Sequence, residues 1–114
     1  MRRMPDPFVV ARPGATGYEP FIHQDVPTGE FRQVAIADGQ GVLEAGYWRS
    51  EPATYAYVFE TDETFVVLDG AATIALDTGE TVEVKAGDMA YFVAGTRSTW
   101  TITEPFRKFV VVPA

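Results

Sequence analysis

The stretch from Tyr55 to Gly70, YAYVFETDETFVVLDG, holds the residues whose types and spacing suit chemistry. Aromatic residues alternate at Tyr55, Tyr57 and Phe59, a turn follows at Glu60-Thr61-Asp62, and Glu63 opens an apolar run that ends at Asp69-Gly70. On a strand, Phe65 and Val67 share the face of Glu63 while Val66 and Leu68 point the other way. A carboxylate desolvated among rings is suited to general acid or base work, with Tyr57 as its catalytic companion. The same carboxylate can instead be a structural anchor, hydrogen-bonded to Tyr57, Ser98 or a backbone donor, because a buried charge without a partner is costly. Both readings stay open at the level of sequence.

Other chemistries are narrower. The chain has no cysteine, which excludes disulfides, thiol catalysis and thiolate metal sites. His23 is the sole histidine and stands in a proline-rich segment, where a loop position is expected. A site built from two or three histidines cannot form within one chain, and Glu63 alone is too few carboxylates for magnesium or calcium. No cofactor is therefore expected. Phosphate-cradling GxGxxG and GKS/T patterns are absent, and no GxSxG context supports a Ser-His-Asp triad.

The elements that must position Glu63 read as short strands. Beyond Phe31 the turns are regular: Asp38-Gly39-Gln40-Gly41 separates FRQVAIA from GVLEAGYWR, and glycines recur at 70, 79, 87 and 95 after short β-prone runs. That spacing predicts an all-β sandwich or barrel without a helix. Residues 31–114 are assigned to the barrel. Residues 1–30 carry five of the eight prolines and are expected as an extended arm, packed on the barrel or swapped onto a partner, with Phe8-Val9-Val10 as a possible edge strand.

Trp48, Tyr57, Phe59, Phe65, Tyr91 and Trp100 are expected to line the barrel lumen. Either they fill it as a plain aromatic core, or they wall a pocket for a flat or apolar molecule that Glu63 and Ser98 orient. In the run FRKFVVV one of Arg107 and Lys108 faces inward or into an interface; outward placement of both is the commoner arrangement. Turned inward, Lys108 would pair with Glu63 or hold an anionic ligand. Strands apolar on both faces need a second cover, and a homodimer contact between sheets is the simplest.

With 16 acidic and 9 basic residues the formal charge is −7, so nucleic acid and anionic membranes are poor partners. No apolar run approaches the ~20 residues of a membrane span. A cytoplasmic, small-molecule-binding protein is the expectation.

The ordered set of ETFVVLDG, Ala86-Gly87-Asp88, Ala94-Gly95, Thr99-Trp100 and Glu104-Pro105-Phe106-Arg107-Lys108 resembles the cupin superfamily over about Val42 to Val112. In particular it resembles the small single-domain branch related to the ureidoglycine aminohydrolase and ethanolamine-utilisation cupins. The resemblance implies a double-stranded β-helix, or jelly-roll, barrel. It also implies a metal held by two histidines and a glutamate of one motif and a histidine of a second. Here Tyr57 and Phe59 occupy the first two histidine positions (Ala56 and Val58 if the gap is one longer), and Ser98 falls at the third. Only the glutamate, Glu63, is kept. The resemblance thus leaves two functional readings: a metal-free binder of a small organic molecule, or an aminohydrolase- or isomerase-like enzyme working through Glu63 and Tyr57. A third is a dimeric scaffold.

Overall fold

The computed structural model describes residues 10–37 and 43–113. Among them are eight strands and no helix: β1 (Glu19–His23), β2 (Val26–Ala37), β3 (Leu43–Ser50), β4 (Ala53–Val58), β5 (Glu63–Leu76), β6 (Thr81–Lys85), β7 (Met89–Phe92) and β8 (Arg97–Pro113). The strand expected around Phe8 and the turn at Asp38–Gly41 lie outside the described residues; Val10 belongs to no strand.

All pairings are antiparallel, in the order β1-β2-β3-β8-β5-β6, with β4 added on β8 and β7 on β5. The long strands β5 and β8 serve both layers. The start of β8 pairs with β4 and its end with β3, while the start of β5 pairs with β7 and its end with β6. Their mutual register slips repeatedly between Val67 and Ala72, where the pair bends from one layer into the other. The product is the expected all-β jelly-roll barrel.

Period two sets the core. Glu63, Phe65 and Val67 of β5 face inward, as do Trp100, Ile102, Phe106, Lys108 and Val110 of β8, and Trp48 of β3. The rings of Phe59, Phe92 and Phe65 stack in a row, and Trp100 tilts against Phe65 to continue the cluster. On β7 the alternation leaves Phe92 buried and turns Tyr91 outward, 54% exposed. Tyr91 is therefore not a lumen residue: one of two adjacent rings on a strand must face out, and the hydroxyl-bearing one does.

Residues 19–30, expected as arm and loop, form β1 and the first part of β2. Their prolines are tolerated because β1 is an edge strand with a register irregularity beside Pro20. The segment before β1 lies against the same barrel. Arg32 donates to the Arg12 carbonyl at 2.8 Å, and the Arg49 guanidinium lies 3.8 Å from the centroid of Tyr18.

The β1–β2 turn is two residues long, with Gln24 at φ 49° and Asp25 at φ 67° between the paired His23 and Val26. Two positive φ values are those of a type I′ turn, which favours Asn-Gly. Asp25→Gly is expected to stabilise the protein by about 1 kcal/mol by relieving left-handed strain, read as a higher urea midpoint. A lower midpoint would contradict this account of the turn.

Candidate ligand cavity

The inward faces of β1 to β5 and β8 leave a cavity of about 390 Å³ on one side of the aromatic cluster. Period two on three strands supplies its deep part: Tyr55 and Tyr57 from β4, Glu63 from β5, and Trp100, Lys108 and Val110 from β8. Trp48 of β3 closes it, and its Nε1–H donates to the Thr28 carbonyl at 2.9 Å. β1 and β2 form the remaining wall with Phe21, His23, Thr28 and Phe31, while Glu60, Thr61 and Pro113 stand exposed at the rim.

The floor is a charged network. Lys108 Nζ donates to Glu63 Oε2 at 2.7 Å, and both side chains are buried. Tyr57 Oη–H donates to Glu63 Oε1 at 3.0 Å. The same ammonium lies 4.4 Å from the ring centroid of Phe65, 4.7 Å from Trp100 and 5.3 Å from Trp48. A buried cation is thus compensated by one carboxylate and three ring faces.

Of the residues expected at the site, Trp48, Tyr57, Glu63, Trp100 and Lys108 meet around this cavity. Phe59 and Phe65 are fully buried behind it in the aromatic cluster, outside its wall. Ser98 is buried as well, its hydroxyl donating to the Tyr57 carbonyl at 2.7 Å, so it anchors β8 to β4 rather than facing the cavity. Lys108 faces inward, against the commoner outward arrangement, because it lies between Phe106 and Val110 on the buried face of β8.

His23 is no loop residue: it ends β1, is 7% exposed, and accepts a hydrogen bond from the Val58 N–H through Nε2 at 3.1 Å. Its ring lies 4.3 Å from that of Tyr57. Alternation in EPFIH puts Phe21 and His23 on one face, a signal masked by the prolines around it.

The family profile of the EutQ-like cupin domain matches residues 37–109. The chain belongs to the EutQ-like cupin family. Among solved structures, a putative ethanolamine utilization protein Q from Salmonella typhimurium is 19% identical, covering 84% of this chain and 93% of that one with a TM-score of 0.65. The Clostridium difficile EutQ protein is 18% identical, with coverages of 81% and 74% and a TM-score of 0.63. These two likenesses concern the fold. A DUF861 family protein from Thermotoga maritima is 28% identical over 56% of this chain and 73% of that one, at a TM-score of 0.55. No curated protein matches.

Cupins as a superfamily imply a metal, and the donors of this EutQ-like cupin do not fit one. At the ligand positions stand Tyr57, Phe59, Ser98 and Glu63, and both oxygens of Glu63 already accept, one from Tyr57 and one from Lys108. Among the described residues no three His, Cys, Asp or Glu side chains converge. A transition metal at Glu63 would have to displace an ammonium from 2.7 Å and would gain no imidazole in return.

Burial, reinforced by the charge of Glu63, raises the Tyr57 pKa well above its ordinary 10.0. The folded EutQ-like cupin therefore holds that proton more tightly than the unfolded chain does. The resulting stability is fully present below pH 10 and is lost as pH rises through the folded value. The Tyr57 phenol is expected to resist ionisation at pH 11 in an ultraviolet titration, and Tyr57→Phe to remove a resistant fraction equal to one tyrosine. Full ionisation of all five tyrosines in the folded protein would refute this placement of the Tyr57 hydroxyl.

Proposed function

We propose that this EutQ-like cupin is a cytoplasmic protein that binds a small organic molecule in the barrel cavity without a histidine metal site. One observation carries the reading: the lumen is not filled by its own side chains but keeps about 390 Å³, walled by aromatic rings and open at a polar rim. Cavities of roughly 300–1,000 Å³ with apolar walls and few polar groups are the usual form of small-molecule sites. Glu63 and Tyr57 are bonded to each other and Glu63 to Lys108, which favours a fixed, preorganised floor over turnover as the role of the pair.

Both tryptophans of the chain, Trp48 and Trp100, line the cavity, so intrinsic emission reports on its occupant. Screening small metabolites against this signal is expected to give saturable binding that Val112→Trp, at the half-buried end of the cavity wall, abolishes. Binding that persists unchanged in a folded Val112→Trp protein would place the ligand elsewhere.

We also propose the homodimer. On the outer face of the sheet, Tyr91 pairs with Thr64 and Thr64 with Val111, while Met89 pairs with Val66 and Val66 with Phe109. These six positions carry no charge, and Met89, Tyr91 and Val66 are exposed. On a chain of net charge −7 such a face is where two copies meet with least repulsion. Sedimentation is expected to give twice the chain mass, and Met89→Asp to give the monomer; a monomeric parent at micromolar concentration defeats the proposal.

A further inference from the structure

Resting on the proposed binding role, we infer that the cavity takes an organic cation: a compact apolar or aromatic body carrying an ammonium group. The charges on the cavity wall lead there. Its ionisable carboxylates are Glu44, Glu60 and Glu63, and its one lysine is Lys108. Lys108 is fully engaged with Glu63 at 2.7 Å, which removes that pair from the balance. Glu44, half-buried at the start of β3, and Glu60, exposed in the β4–β5 turn, are left without a salt bridge among the described residues. Two carboxylates without a salt bridge among the described residues therefore stand over a neutralised floor.

The rings between floor and rim suit the same charge. Lys108 already shows that wall rings accept a cation, since its ammonium sits within 5.3 Å of the ring centroids of Trp48 and Trp100. Phe21, Phe31, Tyr55 and Tyr57 add further ring surface on the cavity side. Ring quadrupoles attract ammonium groups and repel anions. An anionic ligand would meet two carboxylates and the field of a chain with net charge −7; a neutral one would gain burial alone. A bare divalent metal ion is disfavoured, because no three acidic or histidine side chains converge among the described residues. An organic cation gains from walls and rim together.

The test uses the full chain and three probes of similar size: 2-phenylethylamine, 2-phenylethanol and phenylacetate. Binding is followed by tryptophan emission and calorimetry. The amine is expected to bind at least about tenfold tighter than the alcohol, and phenylacetate weakest. The margin between amine and alcohol is expected to shrink as salt rises from low to physiological strength. The double variant Glu44→Gln/Glu60→Gln is expected to erase that margin. If the alcohol or phenylacetate binds as tightly as the amine, or the double variant keeps the full margin, the cation assignment falls while the binding cavity stands. If none of the three probes perturbs the emission or releases heat, the cation assignment falls, and the metabolite screen with Val112→Trp decides the binding role separately.

Discussion

Lys108→Met is expected to lower the unfolding free energy by about 3–5 kcal/mol, the usual effect of leaving a buried charge without its partner. The pair it breaks is closed to solvent, with side-chain exposures of 7% for Lys108 and 5% for Glu63, so water cannot screen the loss. Methionine keeps most of the volume and the contacts to Phe65, Trp100 and Trp48, which isolates the charge from the packing. After the change Glu63 retains only the Tyr57 hydroxyl. Glu63→Leu should be costly for the mirror reason, since it strands the ammonium among ring faces that compensate it only in part. The double variant Glu63→Leu/Lys108→Met is expected to recover most of either loss, because apolar pairs of similar volume commonly replace buried ion pairs without penalty. Urea denaturation followed by tryptophan emission measures all three. A Lys108→Met protein within about 0.5 kcal/mol of the parent would show that the pair contributes little to the fold.

The sequence made half of that pair legible. Glu63 reads as inward because Phe65 and Val67, two and four residues on, share its face, and their neighbour Val66 is partly exposed in the fold. Lys108 is harder. In FRKFVVV both faces are apolar, so period two offers two answers, and what decides is that Phe106 and Val110 point into the core while Arg107 reaches Asp69 outside. That choice depends on which edge of β8 meets β3 and which meets β5, a property of the assembled barrel. The same limit explains the His23 wall. Prolines at 20 and 27 argue locally against strand, yet edge position and a register irregularity admit them, and only tertiary pairing brings His23 beneath Val58. The all-β barrel is legible from the recurring β-prone runs and glycine turns, but their spacing does not set the strand lengths: Gly70 is a bend inside the 14-residue β5, and RSTWTIT and FRKFVVV are one 17-residue strand, β8.

The family pattern was also readable without its meaning. ETFVVLDG, Ala86-Gly87-Asp88 and Glu104-Pro105-Phe106 are far apart in the chain but meet at the bend shared by β5 and β8. The Gly87 N–H donates to the Val67 carbonyl at 2.8 Å, and the Ala86 N–H to the Gly70 carbonyl at 3.1 Å. These motifs mark a backbone crossing, which is why they specify the fold and are silent on the ligand.

Gly70→Ala is accordingly expected to be among the most damaging single-methyl changes in the protein. Gly70 has φ 83°, where a side chain is strained, and a Cβ there would run into the Pro105 carbonyl oxygen and lie 2.8 Å from its carbon and 2.9 Å from Phe106 Cα. All three obstacles are backbone of the partner strand, so neither side can yield without opening the β5–β8 bend that also carries the 86–88 turn. The left-handed strain alone is worth about 1–3 kcal/mol, and the collision adds to it, for an expected loss of about 3 kcal/mol or more. Gly79→Ala separates the two contributions. Gly79 has φ 96° but nothing within 4 Å of an added Cβ, so it carries the strain without the collision. Parallel urea denaturation should therefore place Gly70→Ala well below Gly79→Ala. Equal losses in the two variants would mean that the β5–β8 crossing is looser than the close approach of Gly70 and Pro105 requires.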